Sequence, residues 1–423
     1  SVTSIMDFAF QGCFNLPQIN FNAALIAIGE YAFDGCSGLH SVTIPANVNS
    51  IASTAFLGCS NMSAIYVNQD NMTYASANGV MFDDSIQQLL KYPCGKSGEY
   101  TVPPEVTGIR NFAFIHSGVT SISLPDSLVF IGAEAFHACQ GLNSIIIPAG
   151  VSDIGDSAFI DCTNLSGALF KGNAPDIFGD DVFDNCAPGF AVYYLSGNTG
   201  FSNPWHGYSA LPFEPSFSAV PVTPTNGNVT VTIIYPAIAT TMEYKIGAGA
   251  WTGYSAPIVM TDNGTVYARC SDASGNNSPE RSFAVTNIDK VSPATPTLEA
   301  DQTQPTEDPI IITISYPEDA VLCEYSIGDE PWEKYTLPFK LDHNDTIYAR
   351  CFDAAGNSSD TGSIVINYIG FYDYVYTVFQ GEAIITAYHG AGGDVVIPDT
   401  LGTFPVAAID EGAFRECLSL TSV

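Results

Sequence analysis

A short phrase that begins with Ala-Phe and carries a cysteine at its fifth position recurs along this chain. Its copies are AFQGCFNL from Ala9, AFDGCSGL from Ala32, AFLGCSNM from Ala55, AFHACQGL from Ala135, AFIDCTNL from Ala158 and AFRECLSL from Ala413. The first three copies stand 23 residues apart, as do the fourth and fifth. Self-similarity with a period of roughly 20–29 residues is typical of a solenoid, whose units bury their apolar edges only against one another.

Each repeat unit contains one segment with the pattern of a short strand. The segment LHSVTIP alternates apolar and polar residues, is rich in β-branched side chains, and ends at Pro45, which cannot continue a hydrogen-bonded ladder. In the following NVNSIASTAF, the spacing of Val48, Ile51, Ala55 and Phe56 indicates side chains that point inward around a coil. Stacking such units would place equivalent residues roughly 5 Å apart in a parallel sheet.

The repeat resembles the BspA-type leucine-rich repeats of microbial cell-surface proteins, which share the pattern IP..V..I...AF..C..L..V.IP. The resemblance covers residues 1 to about 213 and again 395–423. It departs from the pattern at AFIHSGVTSISLP, where Ser117 stands at or next to the cysteine position. It also departs at 63–110, where one unit is much longer, and there we expect a β-hairpin with Gly79 and the pair Asp83 and Asp84 at turns.

Seven cysteines recur once per unit, and together we call them the thiol ladder: Cys13, Cys36, Cys59, Cys139, Cys162, Cys186 and Cys417. Stacked Cα atoms about 5 Å apart fall inside the range that disulfides need, but parallel Cβ directions make bridging awkward. We therefore expect free, buried thiols that serve as small apolar side chains. A catalytic nucleophile is a single cysteine set apart from the others, so a row of seven equivalent cysteines is not the arrangement that catalysis needs.

A second repeat follows, with Pro-rich punctuation and longer alternating strands. Residues 243–278 match 324–359 at a constant offset of 81 residues. Tyr244 aligns with Tyr325, Trp251 with Trp332, Arg269 with Arg350, Cys270 with Cys351 and Asn276 with Asn357. Two domains of this length with short strands between turns predict β-sandwiches. They resemble bacterial immunoglobulin-like modules of extracellular proteins, in which the DAAGN segment forms a turn between the last two strands.

Three features of these modules have structural and functional interpretations. Asp272 and Asp353 could contact calcium, although an Asp that caps its own turn explains the motif more simply. Trp251 and Trp332 fit core or cross-strand packing better than a platform for sugars. Cys323 and Cys351 could pair in the second module, but the first has Met242 in place of Cys323, so the fold does not require such a bridge.

Aromatic residues concentrate between the solenoid and the first module, in FSNPWHGYSALPFEP. A terminal repeat must cover its open apolar face, so we expect this segment to be a cap and domain joint. The alternative is a ligand patch of stacked rings. We call its candidates the terminal aromatic cluster: Phe201, Trp205, His206 and Tyr208.

These patterns, together with the two family resemblances and what they imply, predict a mostly β protein with four domains. A right-handed leucine-rich repeat solenoid of parallel strands with a C-terminal cap would occupy residues 1–213. Two immunoglobulin-like β-sandwiches would occupy 214–290 and 291–369. Residues 370–423 would form the N-terminal cap and first unit of another solenoid, fewer than the roughly three units that independent stability needs.

The last and the first residues of the sequence match neighbouring parts of one repeat unit. When LSLTSV from the end and SVTSI from the beginning are set on an interior unit, only the residues that match Thr43 to Ala46 are missing between them. We therefore expect one period of a larger head-to-tail array, joined covalently or by stacking into open filaments. The alternative is a piece cut from a longer chain.

The charge excludes some classes of partner. The chain has 44 acidic and 12 basic residues, a formal net charge of −32 at pH 7. Such a surface repels phosphate backbones and anionic membranes, so we expect no nucleic acid as a partner. No run of about 18 apolar residues occurs, so we expect no membrane insertion in this segment. The cluster Asp180, Asp181 and Asp184 could bind calcium weakly, but it lacks EF-hand spacing.

The sequence does not favour catalysis. Its six histidines are scattered outside any His-Glu-x-x-His or Cys-x-x-Cys setting, and no phosphate-binding glycine loop follows a strand. We expect no catalytic residue and no cofactor. The predicted function is adhesion or structural assembly, outside the cell or on its surface, with further copies, a surface protein or a glycan as partner. The alternative is a glycan-binding accessory module of a larger secreted carbohydrate-active enzyme.

Overall fold

The computed structural model describes residues 2–304, 306, 308–369, 373–390 and 392–423. They divide into two compact units, each described by itself below. The first comprises Ser1–Ser218, Thr232–Pro257 and Thr265–Phe283, and the second comprises Ala219–Val231, Ile258–Gly264 and Ala284–Val423. Within the described ranges there is no helix, and accordingly no helical segment long and apolar enough to cross a bilayer.

The solenoid lies in the first unit and consists of short strands. They are β1 (Ser4–Ile5), β2 (Ala27–Ile28), β3 (Ser41–Ile44), β4 (Ser50–Ile51), β5 (Ala64–Val67), β6 (Tyr74–Ala77), β7 (Val80–Asp83), β8 (Gln88–Lys91), β9 (Ser97–Thr101), β10 (Gly108–Ile109), β11 (Gly118–Ser123), β12 (Phe130–Ile131), β13 (Ser144–Ile147), β14 (Asp153–Ile154), β15 (Gly167–Phe170), β16 (Ile177–Phe178), β17 (Ala191–Tyr194) and β18 (Ser209–Pro212).

The repeat period sets the strand register. Ser41 of β3 pairs in parallel with Ala64 of β5, and Ala27 of β2 pairs with Ser50 of β4, so that partners stand one 23-residue unit apart. One parallel series runs β13-β15-β17-β18, and another runs β8-β10-β12-β14-β16. Each coil thus adds one rung to two sheets, which confirms the predicted solenoid of parallel strands.

The long unit at 63–110 contains the predicted hairpin. β6 and β7 pair antiparallel across Asn78 and Gly79, whose φ values are 51° and 79°. Two consecutive positive φ angles are typical of the type I′ turn that matches the twist of a hairpin. β7 then pairs antiparallel with β8 after a turn that contains Asp84, and β8 rejoins the parallel series through β10.

Phenylalanine rings form a column inside the solenoid. The centroids of Phe114 and Phe136 are 4.7 Å apart, and those of Phe136 and Phe159 are 4.9 Å apart. Phe33 stacks in the same way between Phe10 and Phe56. The Ala-Phe pair of the repeat therefore supplies one stacked ring to each coil that carries it, at the centroid distances that aromatic pairs prefer.

The first of the two later repeats forms two antiparallel sheets. Its strands are β19 (Ser216–Val220), β20 (Val229–Ile234), β21 (Thr241–Ile246), β22 (Thr252–Gly253), β23 (Ile258–Met260), β24 (Gly264–Ser271) and β25 (Arg281–Val285). The sheet orders are β19-β20-β23 and β22-β21-β24-β25. β21 and β22 belong to the first compact unit and β23 to the second, so the expected boundary at 213/214 stays a prediction.

The second later repeat has the same order of strands. They are β26 (Thr297–Ala300), β27 (Ile310–Ser315), β28 (Leu322–Ile327), β29 (Glu333–Lys334), β30 (Phe339–Leu341), β31 (Asp345–Phe352) and β32 (Gly362–Ile366). The sheets are β26-β27-β30 and β29-β28-β31-β32. Ile312 of the first sheet and Ile347 and Ile366 of the second are all at most 1% exposed and share one buried cluster, so the two sheets enclose a common core.

The last segment begins with a hairpin and continues as one coil. Its strands are β33 (Tyr374–Phe379), β34 (Glu382–Tyr388), β35 (Gly393–Asp394), β36 (Thr400–Leu401), β37 (Phe404–Ile409) and β38 (Leu420–Ser422). β33 and β34 are antiparallel, whereas β34 with β37 and β35 with β38 are parallel. Residues 370–372, where this domain is expected to start, lie outside the described residues.

Candidate functional site

The thiols of the ladder bond to the coil before them. Cys36 Sγ donates to the Phe10 carbonyl at 3.1 Å and Cys59 Sγ to the Phe33 carbonyl at 3.2 Å. The same contact recurs from Cys139 to Phe114, from Cys162 to Phe136 and from Cys186 to Phe159. A cysteine here supplies both a small apolar volume and a weak donor for a carbonyl of the neighbouring coil.

Burial differs along the thiol ladder. Cys36, Cys59, Cys139 and Cys162 are buried, Cys186 and Cys417 are half-buried, and all of them are free thiols. Cys13 is exposed, so the expectation of a buried thiol was wrong at this position. The physical reason is its place in the first coil, where no other coil of the described chain covers it.

Burial also makes Cys59, Cys139 and Cys186 of the thiol ladder poor nucleophiles. Loss of solvation raises the pKa of Cys59 to about 12 and does the same for Cys139. Burial raises the pKa of Cys186 to about 12 as well, and Asp184 nearby adds to the rise. Since the thiolate is the reactive form, these positions have a structural and not a catalytic character.

One buried cysteine outside the predicted thiol ladder, Cys94, lies in an equivalent place in its coil and was not predicted from the sequence. Cys94 lies buried between the coils of Cys59 and Cys139, and its Sγ donates to the Ile115 carbonyl at 3.4 Å. The ring of Tyr92 stacks on Phe114 at 4.8 Å and so takes the place of the usual phenylalanine. The signal was the pair Tyr92 and Cys94 in KYPCG, which the alignment on Ala-Phe overlooked because their spacing is one residue shorter.

Ser117 stands where the repeat pattern has a cysteine, and its side chain still makes a polar contact with the neighbouring coil. Ser117 is 3% exposed, and its Oγ lies 3.4 Å from Cys139 Sγ. A hydroxyl therefore replaces a thiol at the same depth without leaving a buried polar atom unpaired.

The terminal aromatic cluster closes the solenoid on one side. The Trp205 ring is 5% exposed and lies 4.3 Å from Phe178 and 5.0 Å from Phe201, centroid to centroid. His206 and Gly207 have φ values of 46° and 86°, which makes a tight reversal that turns Trp205 and Tyr208 back onto the last coil. Packing of this kind suits a cap better than a set of ring faces open to a ligand.

Acidic residues line a cavity of about 230 Å³ beside this cluster. Asp180, Asp181 and Asp184 face His206 and Tyr208 across it. The Tyr208 hydroxyl donates to Asp184 Oδ1 at 2.8 Å and accepts from the Phe183 amide at 3.1 Å. Among the described residues, no group of three or more His, Cys, Asp or Glu side chains is placed to hold a metal ion. Calcium binding at these aspartates stays a prediction.

In each of the two later repeats, an arginine guanidinium stacks on a tryptophan ring. The Arg269 guanidinium lies 4.2 Å from the Trp251 ring centroid, and Arg269 Nε lies 2.8 Å from a carboxylate oxygen of Glu243. The second repeat has the same arrangement, with Arg350 at 4.1 Å from Trp332 and 2.8 Å from Glu324. Each indole therefore has a guanidinium over one face, which favours cross-strand packing over a sugar platform.

The first coil presents an open apolar face. Met6 is 71% exposed, Phe8 is 53% exposed and Phe14 is 65% exposed. Next to them, Val2, Ile5, Phe10 and other residues line a groove of about 400 Å³. The last coil is similar, because Leu418 is 97% exposed and Val423 is 69% exposed. Apolar side chains at this density are typical of a contact surface.

Comparison with known proteins identifies the repeat. The model of the BspA-type leucine-rich repeat region matches residues 1–91 and 84–192, in six copies. The description of that model is of a repeat region. None of the curated proteins compared with this chain matches it.

Solved structures of bacterial leucine-rich repeat proteins are similar to parts of this chain. A leucine-rich repeat protein from Eubacterium ventriosum is 23% identical over 49% of this chain and 57% of its own, with a TM-score of 0.42. A leucine rich cell surface protein from Faecalibacterium prausnitzii is 22% identical over 49% and 66%, with a TM-score of 0.35. A leucine-rich repeat protein from Bacteroides ovatus is 24% identical over 50% and 64%, with a TM-score of 0.29. The matches thus span less than two thirds of the lengths of these structures.

Proposed function

We propose that this chain is a non-catalytic adhesion or assembly protein of the cell surface, and that its copies stack head to tail. In the proposed contact, the last coil of one copy covers the open face of the first coil of another. The observation that carries the proposal is the exposed apolar surface of the first coil, formed by Met6, Phe8 and Phe14. The match of residues 1–192 to the BspA-type leucine-rich repeat region supports the location, because repeats of this type resemble those of microbial cell-surface proteins.

The proposed contact follows the chemistry already used inside the solenoid. Interior coils add a strand to two parallel ladders and a ring to the phenylalanine column. The last coil carries the same elements, since Phe414 stacks on Tyr388 at 5.0 Å and Cys417 Sγ lies 3.6 Å from the Tyr388 carbonyl. Seated on the first coil, it would extend the same column and ladders without a new type of contact.

The two later repeats would act as spacers between solenoids. We propose that they are the immunoglobulin-like modules indicated by their sequence. The common core of the second repeat supports this, and so does a connection within the second compact unit. There the Asn226 amide donates to the Ala355 carbonyl at 3.0 Å, and Asn357 Nδ2 donates to the Asp289 carbonyl at 2.9 Å. Bonds of this kind would hold successive modules in a fixed orientation.

The test introduces a charge at the open face. Met6→Asp should abolish association of the purified chain, because a carboxylate would be desolvated in the contact, while the fold is kept since Met6 is exposed. Met72→Asp is the matched control, since Met72 is 84% exposed but lies in the long unit away from this face. Sedimentation and negative-stain microscopy would follow the assemblies.

The parent and Met72→Asp should form concentration-dependent oligomers or fibres, and Met6→Asp should stay monomeric. A parent chain that remains monomeric at all concentrations up to the millimolar range would contradict stacking. Equal association of both variants would also contradict it.

The glycan-binding alternative depends most on an open Trp205 ring, and the burial of this ring does not support it. At 5% exposure, Trp205 has no open face for a sugar, because Phe178 and Phe201 cover it. We therefore do not propose sugar binding at the terminal aromatic cluster.

A further inference from the structure

Two cysteines of the second later repeat face each other directly across a pair of strands. Cys323 of β28 and Cys351 of β31 are register partners in the antiparallel ladder. Side chains of directly opposed residues point to the same face of a sheet. Cys351 is completely buried on that face, and Cys323 is half-buried.

The hydrogen bonds of the two residues show which type of pair they form. The Cys323 carbonyl accepts from the Tyr335 amide at 2.9 Å, on the β29 side of its strand. The Cys351 carbonyl accepts from the Ser359 amide at 2.9 Å, and its amide donates to Ser359 Oγ at 3.0 Å. Because these backbone groups point away from the opposite cysteine, the two form a non-hydrogen-bonded pair.

The spacing of such a pair suits a disulfide. Opposed Cα atoms in a non-hydrogen-bonded antiparallel pair lie about 4.5 Å apart. Disulfides span Cα separations of about 4.4–6.8 Å, so little backbone movement is needed. This differs from the thiol ladder, whose members lie outside the strands and bond to carbonyls of the neighbouring coil.

We propose that Cys323 and Cys351 are a redox pair that closes to an intramolecular disulfide on exposure to a small disulfide oxidant such as oxidised glutathione. The thiolate of the accessible Cys323 attacks the oxidant and releases one thiol. The Cys351 thiolate then attacks the Cys323 sulfur and releases the second thiol. The two cysteines are oxidised, the oxidant is reduced, and their two protons end on the released thiols.

The first later repeat is a natural control for this pair. Met242 faces Cys270 in the same register, and Cys270 bonds to Ser278 as Cys351 bonds to Ser359. The geometry is repeated but one thiol is absent. Cys270 should therefore stay reduced, and Met242→Cys should gain a second bridge in the first repeat.

The experiment treats the full chain with oxidised glutathione, blocks free thiols after denaturation and maps the peptides by mass. The parent should give one cross-linked peptide pair that joins Cys323 to Cys351 and lacks two hydrogens. Cys323→Ser should give none, and Met242→Cys should add a pair that joins residues 242 and 270. Cys13 is exposed, whereas the neighbouring ladder thiol of Cys36 is buried and donates to the Phe10 carbonyl. Cys13 should therefore stop at a mixed disulfide and so shows that the oxidant acted.

A second measurement does not depend on peptide recovery. The oxidised parent should melt at a temperature higher than the reduced parent by roughly 5 °C or more, because a closed loop constrains the unfolded chain. Cys323→Ser should show no such shift. A glutathione adduct that persists on Cys323 without a cross-link, or two unmodified thiols beside a modified Cys13, would overturn the proposal.

Discussion

At the scale of the residue, position in the stack decides the chemistry of a cysteine. Cys59 and Cys13 occupy the same place in the repeat, yet Cys59 is buried between coils and Cys13 is exposed on the first one. Burial raises the pKa of Cys59 to about 12, which keeps its thiol protonated at neutral pH. Equivalent positions in the repeat thus give one buried, protonated thiol and one accessible thiol.

Alkylation of the native protein measures this difference. With iodoacetamide at pH 8, Cys13 should be modified at least about tenfold faster than Cys59, because only the accessible thiolate reacts. Peptide mass spectrometry over time gives both rates from one sample. Comparable rates would contradict the exposed position of Cys13, and equal labelling after denaturation is the control for intrinsic reactivity.

At the scale of the element, a single aspartate organises the turn after β31. Asp353 Oδ1 accepts from the Ala355 and Asn357 amides, both at 2.9 Å, and Oδ2 accepts from Asn357 Nδ2 at 2.8 Å. Asp272 makes equivalent bonds in the first later repeat. These contacts confirm the predicted turn caps.

The Asp353 turn predicts a loss of stability in acid. Burial alone would raise the pKa of Asp353, but hydrogen bonds from Asn357 and neighbouring amides outweigh it and lower the pKa. Because the folded pKa lies below the unfolded value of about 3.9, the stabilisation is present above that pH and is lost as the pH falls through the folded pKa.

Urea unfolding of the full chain between pH 6 and pH 3 tests this turn. Asp353→Asn should lower the free energy of unfolding by about 1–2 kcal/mol at pH 6 and should flatten its fall toward pH 3. Asp360→Asn is the control, since Asp360 is exposed. An unchanged pH dependence in Asp353→Asn would show that this carboxylate does not stabilise the folded state.

Sequence patterns predicted the strands and their pairing better than they predicted how exposed each residue is. The period of the repeat gives the strands, the register and the ladder because each coil makes the same local contacts. The exposure of Cys13 depends instead on its place in the first coil, which the local pattern of the repeat does not encode. Cys94 was not predicted for another reason. It stands one residue closer to its ring, Tyr92, than the other cysteines stand to theirs, so an alignment on Ala-Phe did not match it.

At the scale of the whole molecule, charge opposes contact between copies. A net charge of −32 gives any two copies the same sign, while the proposed contact is apolar. The Debye length falls from about 30 Å at 0.01 M salt to about 8 Å at 0.15 M, so salt weakens the repulsion and leaves the apolar contact intact.

Association of the parent chain should therefore strengthen with salt. Between 0.01 and 0.15 M NaCl, we expect a fall in the dissociation constant of at least about threefold, measured by sedimentation equilibrium. Met6→Asp should stay monomeric across the same range. Weaker association at higher salt would indicate a contact made by ion pairs and not by the open face of the first coil.

Neighbouring coils keep their strand pairing although coil length varies, since Gly108 pairs with Phe130, Phe130 with Asp153 and Asp153 with Ile177. This has a consequence for how such a chain can change in length. Removing a single amino acid from within a strand would turn every following side chain of that rung away from its partner, whereas the turns between strands can absorb a change of one residue. Duplicating an entire coil would leave each old neighbour with an equivalent new one. Evolution can thus lengthen or shorten this solenoid by whole coils, or by single residues in the turns between strands, whereas a one-residue deletion within a strand is the more damaging event.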